Sequence, residues 1–203
     1  MRAKRPWGGT LSAGPTAVVR GGLHGVRRWK PSRGEGGAIR LGSIARPDEW
    51  LPGGKTTWAR CGGRGPGVHP AGAPAPAGPC TCGLYALHPW AVSNQGSWID
   101  GSLTMAAGSG ALEIVGVVEA WGTVHVHDEG FRAQYARPVD LLLIGTPRDS
   151  EYGRLVDDLA IAYRSGVTEV ADAAAFDEHC REHGIGMSPE GVAALTSGAG
   201  TGT

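Results

Sequence analysis

The chain has little of what a membrane-bound, secreted or strongly charged protein needs. It contains two Phe and four Tyr, so its seven Trp must supply most of the aromatic bulk of a core. Its apolar runs are short: Leu141–Ile144 is typical, far below the roughly 20 residues a membrane helix requires. The start, M-R-A-K-R-P-W-G-G, is basic but lacks the apolar stretch of roughly 7–15 residues that marks a secretory signal. Lys plus Arg and Asp plus Glu number 19 each, so no global field draws the chain to nucleic acid or to an anionic membrane. No recognised catalytic signature occurs. These absences predict a cytoplasmic protein with no membrane partner. Thiols stay reduced in that compartment, so clustered cysteines read as ligands or reactive groups rather than as disulfides.

What the chain does have is glycine and proline, 35 and 14 of 203 residues, which demands many turns and loops around one ordinary domain. Residues 1–22 read as a flexible basic leader, and 187–203, ending S-G-A-G-T-G-T, as a flexible tail. Between them, 23–186 read as a single α+β domain: a small antiparallel sheet with a central hairpin, a Gly/Pro-rich loop and two C-terminal helices. V-R-R-W-K and A-I-R-L-G-S-I are short strand pieces before a loop zone at 61–110. The alternation in A-L-E-I-V-G-V-V-E-A-W-G-T-V-H-V-H predicts a strand with Trp121, Thr123, His125 and His127 on one side. Asp128–Gly130 then turns into F-R-A-Q-Y-A, with Gly130 expected at positive φ and Gly130→Val costing about 1 kcal/mol. Arg137–Pro138 is expected to interrupt that second strand before V-D-L-L-L-I resumes.

After Pro147 the period changes. Leu155, Leu159 and Tyr163, with Val156 and Ala160, form a helical stripe over 150–164 that Gly166 ends. A second helix follows, with Asp172 as N-cap and Gly184 just past its end. Cys180 on that helix reads as a semi-buried core residue.

Chemistry concentrates between Cys61 and Cys82. Cys61, His69, Cys80 and Cys82 supply three thiolates and one imidazole, a set that suits tetrahedral zinc, although the C-x7-H-x10-C-x-C spacing departs from paired C-x2-C knuckles. Two other readings stay open. Cysteine is often buried without binding anything. Alternatively, Cys82 is the nucleophile of a cysteine-dependent hydrolase or transferase, with His125 or His127 as its base and Gly83 exposing an N–H for an oxyanion. Trp121, His125 and His127, with Arg132 beyond the turn, form a candidate ligand face that would stack on a base or hold a phosphate; the same row also fits a plain solvated strand face. Arg132 is expected to be partly buried and paired with Glu119 or Asp140.

The motifs C-T-C-G-L-Y-A at 80–86 and W-G-T-V-H-V-H-D-E-G-F-R-A-Q-Y-A at 121–136 resemble a pattern shared by short proteins of high-GC, actinobacterial-type genomes: C-x-C-G-[IL]-Y-A with W-G-x-V-x-x-H-x-x-G-[FWY]-R-A-x-x-A. The upstream G-V-R-R-W-K and W-L-P-G-G-K-T-T-W-A-R-C fit its opening, so the resemblance spans roughly 25–165. It implies a coherent domain and supplies no activity. The sequence thus favours a small non-catalytic binding module, its long loop tied by cysteines around zinc, with a nucleotide, nucleic acid or protein as its ligand.

Overall fold

A computed structural model describes residues 16–33, 35–44, 50–61, 75–77, 80–94, 112–188 and 190–191. The elements run β1 (Thr16–Arg33), β2 (Ile39–Ser43), β3 (Thr57–Trp58), β4 (Leu84–Leu87), α1 (Pro89–Asn94), β5 (Ile114–His127), β6 (Gly130–Ile144), α2 (Glu151–Tyr163), β7 (Gly166–Val170) and α3 (Ala173–Glu182). The class is α+β and sheet-rich, and the hairpin and C-terminal helices fall about where the periodicity put them. The sheet is larger than expected, with seven strands, and β7 runs parallel to β6.

The long strands β1, β5 and β6 do the organising. β5 pairs antiparallel with β1 on one side and with β6 on the other. β4 then bridges β6, through Leu84–Leu87 against Gly130–Ala133, to β1, through Val26–Leu87. The four strands β1, β5, β6 and β4 therefore close a ring of hydrogen-bonded neighbours. Beyond Ile114 and Asp140 the sheet lies open between two layers of side chains. Leu141 and Leu143 point into the cluster with Trp29, Trp50, Val156, Leu159 and Tyr163, while Leu142 and Ile144 point into the cluster with Val115, Val117, Phe176 and Cys180. Both faces are covered, which is why L-L-L-I is a continuous apolar run rather than an alternating one.

Several expectations need correction. β1 begins at Thr16, inside the stretch assigned to a loose leader, because Thr16–Val19 pair with Gly122–His125. The loop zone holds a strand and a short helix, β4 and α1. β6 runs through Arg137–Pro138 without a break, the register slipping opposite Val117–Val118, so the proline sits at an irregularity rather than ending the strand. Gly130 is not at positive φ. A Cβ there would stand 2.2 Å from the Ala86 carbonyl oxygen, so the glycine is needed for the close approach of β4's main chain. α2 ends on Arg164 in the left-handed region, φ 54°, and Gly166 opens β7.

The helices follow their sequence signals. Ser150 caps α2 by accepting from the Gly153 amide at 3.0 Å. Asp172 caps α3 by accepting from the Ala175 amide at 2.9 Å, and Gly184, at φ 60°, lies past its end. The Tyr163 hydroxyl ties α2 to the sheet, donating to Trp50 O and accepting from Leu41 N, each at 2.9 Å. Among the described residues no helix is long and apolar enough to cross a membrane.

Candidate metal centre

β3 leads through Ala59 and Arg60 to Cys61, and the segment entering β4 carries Cys80 and Cys82. The three Sγ atoms lie within 4.8 Å of one another, with Cys61 and Cys80 3.6 Å apart. Two thiolates on one tetrahedral zinc at about 2.3 Å are separated by about 3.8 Å, so this spacing fits a shared ion. Cys80 and Cys82 are buried and Cys61 is half-buried, packed with Ala59, Ala75 and Ala77 in a small cluster of their own. A group of this kind can hold a metal. His69, the expected fourth ligand, lies outside the described residues.

Main-chain contacts set the C-x-C segment. The Cys80 amide donates to the Ala77 carbonyl at 3.1 Å, making a turn ahead of the pair. The Arg132 side chain, 2 % exposed, reaches across from β6 and donates through Nη1 to the carbonyls of Cys80 and Cys82, the latter at 3.1 Å. Its Nε donates to His127 Nε2 at 3.2 Å. The guanidinium thus clasps both flanks of Thr81, beside the point where the sulfurs converge. Gly83 makes the clasp possible: it has φ 132°, and a Cβ there would sit 2.8 Å from Arg132 Cβ. The expected partners of Arg132 are engaged elsewhere. Glu119 pairs with Arg137 at 2.6 Å, and Asp140 accepts from Thr168 at 2.7 Å. Carbonyl partners leave no mark in a sequence, so only the G-F-R-A context hinted at a fixed arginine.

The thiols are shaped by their enclosure. Burial pushes the Cys82 thiol up to about 11, with Cys80 and Cys61 adding to the rise and the Ala77 backbone opposing it. A nucleophilic cysteine needs the opposite shift. The two histidines suggested as its base are engaged as well: His127 accepts from Arg132, and His125 lies 3.1 Å from the Thr16 hydroxyl through Nδ1.

The ligand face expected along β5 does not assemble as one open surface. The register against β6 slips between Trp121 and Val124, around Gly122 at φ 82°, and sets Trp121 apart from the residues that follow. His125, His127 and Arg132 are buried beside the C-x-C segment. Trp121 stays half-buried and stacks on Tyr135, ring centroids 6.1 Å apart. Sequence reasoning also missed His88, fully buried behind β4. Its Nδ1 accepts from the Met187 amide at 3.3 Å, its ring stacks on Trp90, and burial lowers its pKa to about 4. The only signal for it was its place between an apolar quartet and a proline.

Fold and site together define a sheet-rich α+β domain with a thiol cluster clasped by a buried arginine. No known protein family, curated protein or solved structure matches this chain.

Proposed function

We propose that the chain is a small, non-catalytic binding module of a reducing, cytoplasmic compartment, in which Cys61, Cys80 and Cys82 hold a structural zinc ion. The convergence of three sulfurs from two distant segments under the Arg132 clasp carries this reading. Zinc supplies a cross-link that a Gly/Pro-rich connection of 18 residues between Cys61 and Cys80 lacks by itself. His69 or water completes the coordination. Three thiolates on a divalent ion leave one negative charge, and the Arg132 guanidinium offsets it. The module's ligand is a nucleotide, nucleic acid or protein, met where Trp121 and Tyr135 stack. The two motifs support a kinship with the short proteins of high-GC genomes that it resembles.

Elemental analysis of protein purified without chelator, with a native thiol titration, tests this. One equivalent of zinc, with Cys61, Cys80 and Cys82 unreactive until a chelator is added, is the expected result. Metal-free protein whose Cys82 is alkylated selectively and fast would reject it in favour of a cysteine-dependent enzyme.

A further inference from the structure

None of these cysteines lines the open cavity of about 450 Å³ across which α3 faces the β6–β7 pair. Its floor is apolar, including Val117 and Val139, and its polar lining is His24, Asp140, Thr168, His179 and His183. That combination, a mostly apolar recess with a few convergent polar groups, is the usual anatomy of a ligand site.

The polar groups are arranged around one carboxylate. Thr168 Oγ1 on β7 donates to Asp140 Oδ2 at 2.7 Å and holds it in place. Oδ1 is shielded from water and has no hydrogen-bond partner. Gly166 makes room for it, since a Cβ there would lie 2.8 Å from Oδ1. His179 in the last turn of α3 and His183, its C-cap, have ring centroids 4.3 Å apart, and His179 Nε2 is 3.8 Å from Asp140 Oδ2. His183 Nδ1 donates to the His179 carbonyl oxygen at 2.8 Å, which leaves its Nε2 as the ring nitrogen open to another partner. A buried carboxylate oxygen without a donor, beside two imidazoles, is a lining that a small cation satisfies.

We propose that His179, His183 and Asp140 form a second site, for a divalent transition-metal ion held by two imidazoles and one carboxylate, with its remaining positions open to the cavity. Two histidines at i and i+4 share one helix face, and two imidazoles with one carboxylate leave coordination positions free for a further ligand. Ligands on one ion at about 2.1 Å are about 3.0–3.4 Å apart, so the His179–Asp140 pair is already near its bonded spacing. The three donors do not all lie within 4.8 Å of one another, and the set would close on turning the two rings, the exposed His183 giving up its bond to the His179 carbonyl. His24, from β1, faces the same space and offers a further donor. Thr168 acts as the outer partner that orients the carboxylate.

Cobalt(II) tests this on the full-length protein, because cobalt bound to thiolate shows an intense near-ultraviolet charge-transfer band and cobalt bound to imidazole and carboxylate does not. Equilibrium dialysis should find one equivalent of cobalt bound without that band. His183→Ala, at an exposed position, and Asp140→Asn, which keeps the shape, should each weaken that equivalent at least about tenfold and leave thiolate-bound metal unchanged. Binding of cobalt only with the thiolate band would overturn the proposal, as would a second equivalent indifferent to both substitutions. An equivalent that lacks the band and is lost in His183→Ala, in protein whose cysteines hold nothing, would sustain this site while refuting the zinc reading.

Discussion

At one end of β6, Arg132, donating also to His127, holds the C-x-C segment by side-chain bonds to carbonyls; at the other, Leu141–Ile144 are held by layers of apolar side chains on both faces. The first end depends on directional contacts. The second spreads its stability over many contacts, each of which can be lost alone. The difference teaches where function can sit. Directional contacts place donor atoms within a few tenths of an ångström, and the thiol cluster is found there. The packed end offers instead a cavity at its edge, rimmed by side chains that remain free to turn.

The sharpest way to break this contrast is at Arg132. Arg132→Leu leaves two buried carbonyls and His127 without their donor, and should cost about 4 kcal/mol in urea unfolding. Zinc should be lost with it if the clasp aims the sulfurs. Retention of full metal content in a folded Arg132→Leu protein would show that the cysteines are positioned by something else. Next comes Gly130, where β4 crosses β6. Gly130→Ala should already cost about 3 kcal/mol, because its Cβ would meet the Ala86 carbonyl oxygen. Gly130→Asn should do no better, whereas a site requiring positive φ would favour Asn over Ala.

A third test uses pH. His88 lies at the start of β6, its amide donating to the Glu129 carbonyl at 2.9 Å and its ring stacked on Trp90 and tilted against Phe131. Its pKa is lowered from 6.5 to about 4, so above pH 6.5 the ring is neutral whether the chain is folded or not. Between pH 6.5 and about 4 the unfolded chain takes up a proton that the folded one refuses. Stability should therefore fall across that window, by at most about 3 kcal/mol for this group. His88→Phe should flatten that part of the profile. An unchanged slope would assign the proton uptake to another group.

The packed end was legible in the sequence and the clasped end only in outline. Leu155, Leu159 and Tyr163 announce α2 because helix periodicity is local, and Asp172 announces the start of α3 for the same reason. β4 was hidden because four residues, L-Y-A-L, show no period; it is a strand only through pairing with Gly130–Ala133 and Val26. The alternation along β5 announces its apolar side, since Ile114, Val118, Ala120, Val124 and Val126 enter one core cluster, but a Gly beside a Trp does not reveal the register slip at Gly122. The cysteines could be named as candidates from their types alone. That Cys61 joins Cys80 and Cys82 is a property of the closed ring of strands, which brings the end of β3 beside the start of β4 along the edge of β6.

The smallest expected effect sharpens the contrast from the packed side. Asp172 caps α3 through one hydrogen bond to the Ala175 amide, at an exposed position. Asp172→Ala should cost about 1 kcal/mol, the usual worth of such a cap, because Phe176 and Cys180 still anchor the helix in the core. Metal content and thiol reactivity should not change, since α3 shares no contact with the C-x-C clasp. The first turn of the helix should nevertheless exchange its amide hydrogens faster, while the turn carrying His179 and His183 keeps its protection through the Cys180 anchor. If the substitution instead disturbed the cysteines, the two ends of β6 would be mechanically coupled, and stability at the packed end would no longer be independent of the directional contacts at the other.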